Sequence, residues 1–215
     1  MVAPPSRGAA VAKVAAVVVV VAAVLVFAVL RTAKSSRSEP YTLPPEAIRS
    51  WTVSVEMGSA PDDPALVLRP PTALTSALFE QTFRRSMESM RAPETLGIPL
   101  VYQGELERAA EHVSPDELLK IARRAGLEMT PPAARCLGHR RRPEPDARQQ
   151  VYFAIFDSAP FKTFRDALAA RLGANFDPAF ASPAMLVGTV ESGPSVWLPL
   201  HADADHDCVA PIQAQ

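Results

Sequence analysis

The stretch HADADHDC near the C-terminus is the richest source of potential metal ligands in the sequence. Asp203, Asp205 and Asp207 are spaced as in the first half of a calcium-binding loop, where carboxylate oxygens coordinate the cation. The next position needs glycine for a sharp turn but is Cys208, and the position of the bidentate glutamate is Ala214. The pattern therefore favours a polar surface turn over a calcium site, and we expect no metal ion or cofactor.

The only two cysteines of the chain admit three interpretations. Cys136 with His139 and Cys208 with His206 supply the ligand types of a structural zinc site, although the spacing differs between the two pairs. Each cysteine could instead be a small buried apolar side chain. The third interpretation is a disulfide between Cys136 and Cys208, because an even number of cysteines in an exported domain favours pairing.

Arginines cluster between residues 128 and 148, a stretch of about twenty residues that also contains four prolines. We predict a loop here, and loops of this length within a compact domain are usually functional or disordered. Arg135, Arg140, Arg141 and Arg142 are our candidates for contact with an anion, an acidic partner or acidic lipid headgroups. A solvated loop without such a role is the alternative.

The sequence contains no nucleophile elbow, no phosphate-binding glycine loop and no zinc-binding HExxH helix. Acidic residues are scattered singly, so no pair can be assigned to acid–base catalysis. One enzyme hypothesis remains, a membrane-attached hydrolase or metal-dependent enzyme that uses residues 201–208 with the arginines as a substrate clamp. It requires His139, His201 or His206 to lie beside two carboxylates in one pocket. We favour a binding or assembly protein over this enzyme.

An apolar segment near the N-terminus, residues 14–30, contains no polar side chain and is rich in valine. At about 1.5 Å per residue, a helix of this length crosses a hydrocarbon core of about 30 Å if Lys13 reaches the interface. A signal peptide has a shorter apolar stretch followed by a small-x-small cleavage site, and Arg31 disfavours cleavage here. We therefore predict an uncleaved transmembrane anchor rather than a signal peptide or a buried core helix.

The predicted organisation is an N-terminal tail (1–13), the anchor (14–30), a flexible tether (31–50) and a single globular domain (51–215). The tether combines serine, proline and charge without apolar periodicity. Basic residues flank the anchor on both sides, so their number does not set its orientation in the membrane. A short tail before a first apolar segment generally stays in the cytoplasm. We expect a single-pass protein of the cell membrane whose domain lies outside the cytoplasm, in a bacterial envelope.

Charge is distributed unevenly, because residues 1–37 contain five basic residues and no acidic ones. The whole chain carries −1, so the remainder carries −6. An acidic domain is unsuited to nucleic acid, whose phosphates require cationic partners. The expected partners are the lipid bilayer, through the N-terminal helix, and a protein that the sequence does not identify.

Hydrophobic periodicity predicts about seven strands and three helices. The strands are expected near residues 51–57, 65–68, 98–102, 149–157, 185–190, 195–200 and 208–212, and the helices near residues 73–91, 115–126 and 158–173. The first two strands are expected to form a β-hairpin, and residues 149–157 to form a central strand buried on both faces. Ser114 and Ser158 are expected to cap the second and third helices. The first helix is expected to bury Phe79, Phe83, Met87 and Met90, which recur every three or four residues. We predict an α+β domain with its helices on one face of the sheet, or alternatively an open α/β sandwich.

Overall fold

The computed structural model describes residues 18–28, 39–93, 96–141, 150–190 and 201–214. The chain divides into two compact units, Met1–Glu39 and Pro40–Gln215. In the first unit, residues 18–28 form a helix, α1, whose large apolar side chains are exposed. No helix within the described ranges is both long enough and apolar enough to span a membrane. The predicted tail, the ends of the predicted anchor and residues 31–38 of the tether lie outside the described residues.

The second unit is a mixed α+β domain, as predicted. Its strands are β1 (Tyr41–Leu43), β2 (Thr52–Val55), β3 (Pro64–Arg69), β4 (Met90–Arg91), β5 (Ile98–Tyr102), β6 (Ala133–Arg141), β7 (Gln150–Asp157), β8 (Ala184–Val190) and β9 (Cys208–Ala214). Its α-helices are α2 (Thr72–Ser86), α3 (Gln103–Arg108), α4 (Pro115–Arg124), α5 (Ala159–Leu172) and α6 (Ala204–Asp207), and Pro45–Ile48 is a 3-10 helix. Regular structure therefore begins at β1, inside the segment predicted as tether.

The strands form two sheets. The larger has the order β1-β9-β6-β7-β8-β4, and the smaller has the order β2-β3-β5. Neighbouring strands are antiparallel except β1 and β9, which run parallel. The predicted hairpin is confirmed, because β2 and β3 pair with Val53 opposite Leu68. In the larger sheet the C-terminal strand β9 lies directly beside β6.

Alternate side chains of β7 enter two hydrophobic clusters, one on each face of the larger sheet. Tyr152 and Phe156 belong to the main core, which also holds the buried side chains of α2, α4 and α5. Phe153 and Ile155 belong to a smaller cluster, against which Ala202 packs. This division confirms the prediction of a central strand that is buried on both faces.

Two helix starts that the sequence marks with serine are confirmed. The side chains of Ser114 and Ser158 each accept a hydrogen bond from the backbone N–H three residues later, at 3.3 and 3.2 Å. These caps satisfy donors that have no partner within α4 and α5. Gly126 and Gly173 follow the two helices with positive φ angles, which glycine adopts at little cost.

Helix α2 is shorter than predicted and buries a different face. It ends at Ser86, because Met87 is in the left-handed conformation and the chain then enters β4 at Met90. Leu78 is fully buried, whereas Phe83 is 47% exposed and Met87 is 82% exposed. The prediction that Phe83 and Met87 belong to the core is therefore wrong.

Hydroxyl side chains explain why α2 turns this other face to the core. Thr82 donates a hydrogen bond to the Leu78 carbonyl at 2.7 Å, and Ser86 donates one to the Phe83 carbonyl at 3.3 Å. These intrahelical bonds satisfy the hydroxyl groups, so Thr82 and Ser86 can be buried beside Leu74 and Leu78. Hydropathy alone predicts that both residues face the solvent.

The predicted loop at residues 128–148 contains strand β6, so the prediction is wrong for Ala133–Arg141. This strand is hydrogen-bonded to β7 on one side and to β9 on the other. Its three central residues are buried, and a Cβ added at Gly138 would lie 2.5 Å from the Phe153 ring. Arginines occupy both ends of the strand, so no apolar alternation reveals it. Arg142 and the strand predicted at 195–200 lie outside the described residues.

A buried ion pair connects α3 to α5. Arg165 and Glu105 are 1% and 3% exposed, and their side chains meet at 2.6 Å (Nη2–Oε1) and 3.1 Å (Nη1–Oε2). The guanidinium also donates to the carbonyl oxygens of Leu100, Asp177 and Pro178. No buried side-chain nitrogen or oxygen of the described residues lacks a hydrogen-bond partner. The pair thus fixes the segment after α5 to the edge of the smaller sheet.

Candidate functional site

A disulfide joins strand β6 to the C-terminal segment. Cys136 lies in the buried centre of β6, and Cys208 is the first residue of β9. The two Cα atoms are 5.7 Å apart, within the usual range for a disulfide. The bond closes a loop with a sequence separation of 72 residues. Of the three interpretations of the cysteines, the structure contains the disulfide.

Two of the four candidate arginines are paired with acidic residues of the C-terminal segment. Arg140 binds Asp207 through two contacts, Nε–Oδ1 at 3.2 Å and Nη2–Oδ2 at 2.6 Å. Arg135 lies 3.5 Å from Asp205 and 3.8 Å from Asp157. The register of β6 and β9 creates these pairs, because it brings basic and acidic residues from distant parts of the chain together. Residues 201–208 therefore neutralise Arg135 and Arg140, while Arg141 remains exposed.

The aspartates of the calcium-like pattern have structural roles. Asp203 caps α6 by accepting a hydrogen bond from the Asp205 backbone N–H, and Asp207 accepts one from the Asp203 backbone N–H. Across the described ranges, no three His, Cys, Asp or Glu side chains are grouped as a metal ion requires. Because Cys136 and Cys208 are oxidised, they offer no thiolate to zinc.

The exposed imidazole of His206 forms an ion pair with Asp203, at 2.6 Å between Nδ1 and Oδ2. The hydrogen bond to Asp203 raises the pKa of His206, and the pKa of Asp203 is lowered by the Asp205 backbone N–H first and by His206 second. A raised histidine pKa stabilises the folded state below the ordinary value of 6.5, and a lowered aspartate pKa stabilises it above 3.8. The pair therefore contributes most to the stability of the folded state between pH 3.8 and pH 6.5. This contribution is lost as pH rises through the folded pKa of His206 or falls through that of Asp203.

The three histidines of the enzyme hypothesis occupy separate places. His139 hydrogen-bonds Gln150 at 2.8 Å and stacks on Tyr152, with ring centroids 4.6 Å apart. His201 packs edge-on against Phe180 at 4.9 Å. Only the His206 ring contacts a carboxylate among the described side-chain contacts. None of the cavities in the described part of the chain is lined by any of these three histidines.

A polar cavity of about 350 Å³ lies beside the C-terminal segment, with Arg135, Asp157, Asp203 and Asp205 in its lining. Its two serine hydroxyls have structural roles. Ser158 accepts the capping hydrogen bond of α5, and Ser182 donates to the Ala202 carbonyl at 3.1 Å. Within the described part of the chain, Asp203 is the only hydrogen-bond partner of the His206 ring. Among the described contacts, neither serine of this cavity is hydrogen-bonded to a histidine that could activate it as a nucleophile.

A groove of about 610 Å³ between α4 and α5 was not predicted from the sequence. Lys120 and Arg124 of α4 line it and are exposed. Arg171 of α5 lies between Glu117, at 2.8 Å, and Glu111. The hydrogen bond with Glu117 is the main cause of the raised pKa of Arg171. The sequence indicates that α4 has a charged face, but only the tertiary structure shows that this face lies opposite α5.

The chain was also compared with known proteins. No protein-family description, characterised protein or solved structure matches it. The chemistry of its surface therefore carries the functional inference.

Proposed function

We propose that this chain is a membrane-anchored envelope protein whose exported domain binds or assembles with a protein partner. The observation that carries the proposal is the disulfide between Cys136 and Cys208. Disulfides persist in oxidising compartments and are rare in a reducing cytosol. A domain that contains this bond is therefore best suited to the outside of the cytoplasmic membrane.

The N-terminal segment supports anchoring. Residues 14–30 lack polar side chains, and the valines and leucine described in α1 are at least half exposed. An exposed helix that is apolar on all sides is costly in water and favourable in a bilayer. Basic residues before and after the segment suit the two lipid interfaces. The proposed arrangement is a single-pass protein with the domain on the exported side.

The groove between α4 and α5 supports a binding role for the domain. It is concave, and the exposed side chains of Lys120 and Arg124 line it, whereas Arg171 is paired with Glu111 and Glu117. Such a surface suits an acidic segment of a protein partner, because complementary charges steer association and select the partner. Arg141, exposed at the end of β6, is a second candidate contact. Arg142 remains a candidate from sequence alone.

Deletion of residues 1–37 is expected to move the protein from the membrane fraction to the soluble fraction while the domain stays folded. The expectation follows from the division of the chain, because the folded unit is Pro40–Gln215. The measurement is fractionation after carbonate extraction, followed by thermal unfolding of the soluble product. Deletion of residues 2–12 alone is the matched control, since it retains Lys13 and the apolar segment and should stay in membranes. A full-length chain that is soluble without detergent would refute the anchor.

A further inference from the structure

Helix α2 has an apolar stripe on its outer surface. Phe79, Phe83 and Met87 follow one another at spacings of four residues, and the rings of Phe79 and Phe83 stack with centroids 6.1 Å apart. Phe83 is the only aromatic among the large apolar side chains that are exposed in the described part of Pro40–Gln215. Phe83 and Met87, the C-cap of the helix, are exposed, whereas Phe79 is half-buried against the main core. Large apolar side chains are normally buried, so two exposed ones beside a half-buried aromatic ring mark an interaction surface.

The stripe continues into a small apolar hollow. Phe79 forms part of the lining of this hollow, which has a volume of about 110 Å³ and is otherwise formed mainly by apolar residues of β8 and the segment after β4. Pro93, Leu96 and Met185 are among them. The outer face of α2 and the hollow therefore make one continuous apolar surface, suited to another helix that inserts a large side chain.

The charges beside the stripe are self-complementary. Glu80 and Arg84 are 64% and 76% exposed and pair with each other at 3.2 Å along the helix. Both lie on the same flank of the stripe, because each follows one of its phenylalanines by one residue. In an antiparallel helix pair the same flank of each helix meets its counterpart. A two-fold axis at the level of residue 82 would place Glu80 of one copy opposite Arg84 of the other and bring the two Phe83 side chains together.

We infer that α2 is a self-association surface, on which a second copy of this chain packs its own α2 antiparallel across a two-fold axis. An isologous contact requires a self-complementary patch, and the stripe with its flanking charges meets that requirement. The contact is small compared with about 800 Å² per partner in stable complexes, so the dimer is weak in solution. If the chain is anchored as proposed above, confinement to a membrane raises its effective concentration and favours the dimer.

The test is a concentration series of the full-length chain in a mild non-ionic detergent, followed by sedimentation velocity. Phe83→Glu should abolish the concentration-dependent dimer, because it places two charges in the apolar contact. Glu80→Arg and Arg84→Glu should each weaken it about tenfold, since like charges would then face each other. The double variant Glu80→Arg/Arg84→Glu restores the complementary charges and should recover the dimer.

Lys162→Glu on α5 is the matched control, because Lys162 and Asp166 form the same kind of exposed i,i+4 pair at 3.0 Å. It should leave association unchanged. Melting curves establish that each variant is folded. If Phe83→Glu does not fold, the variants of Glu80 and Arg84 still test the α2 contact. A chain that is monomeric throughout the series, or a double variant as weak as either single variant, would overturn the inference. If the chain associates but no α2 substitution alters the association, another segment forms the contact and the inference is likewise overturned.

Discussion

Replacement of Arg165 by alanine is expected to destabilise the domain by about 3–5 kcal/mol, the largest effect of any single substitution that we predict. Glu105 is 3% exposed and would be left as a buried carboxylate without its cation. The carbonyl groups of Leu100, Asp177 and Pro178 would also lose a donor. An unpaired buried charge costs far more than the pair itself contributes, which is why the single substitution is so damaging.

The measurement is urea unfolding monitored by tryptophan fluorescence, since Trp51 is buried in the main core. The double variant Glu105→Leu/Arg165→Met removes both charges and should recover part of the lost stability. Lys162→Ala is the surface control and should cost less than about 1 kcal/mol, because it breaks only an exposed pair. A loss below about 1 kcal/mol for Arg165→Ala would show that the pair is not buried as described.

Reduction of the Cys136–Cys208 disulfide is expected to cost about 4 kcal/mol of stability. In the entropic account, a bond that closes a loop of this length restricts the unfolded chain and so raises its free energy. The measurement is denaturant unfolding with and without a reductant. The Cys136→Ala/Cys208→Ala variant should match the reduced protein and should not respond to the reductant, which makes it the control. Equal stability of the oxidised and reduced proteins would contradict the expectation.

Elements with strong local signals could be predicted from the sequence. Strand β7 contains an uninterrupted apolar run at residues 151–156. Ser114 and Ser158 mark helix starts through a hydrogen bond that spans only three residues. These signals depend on neighbours in the chain, so they need no knowledge of the tertiary structure. The strand β5 and the hairpin of β2 and β3 belong to the same group.

The errors arise where tertiary contacts override the local pattern. Strand β6 contains Arg135 and Arg140, which pair with Asp205 and Asp207 of α6, about 70 residues later in the chain. Helix α2 buries Thr82 and Ser86 because their hydroxyl groups bond within the helix. Neither effect is visible in a count of apolar residues.

The buried arginine could have been suspected from its spacing. Arg165 stands four residues after Phe161 and three before Leu168, on the same face of α5, and both of these neighbours are buried. A cation at such a position needs a buried anion, but the sequence does not identify Glu105 as that anion, since the two residues are 60 positions apart. The candidate binding groove likewise depends on how α4 packs against α5.

The redox state of the cysteines in native membranes tests the proposal that the domain lies outside the cytoplasm on a membrane anchor. The wild-type chain is extracted from membranes, denatured without reductant and treated with a thiol-alkylating reagent whose added mass is counted by mass spectrometry. We predict no alkylated thiol before reduction and two after it, at Cys136 and Cys208. Two alkylated thiols in the unreduced chain would contradict both the disulfide and the export of the domain.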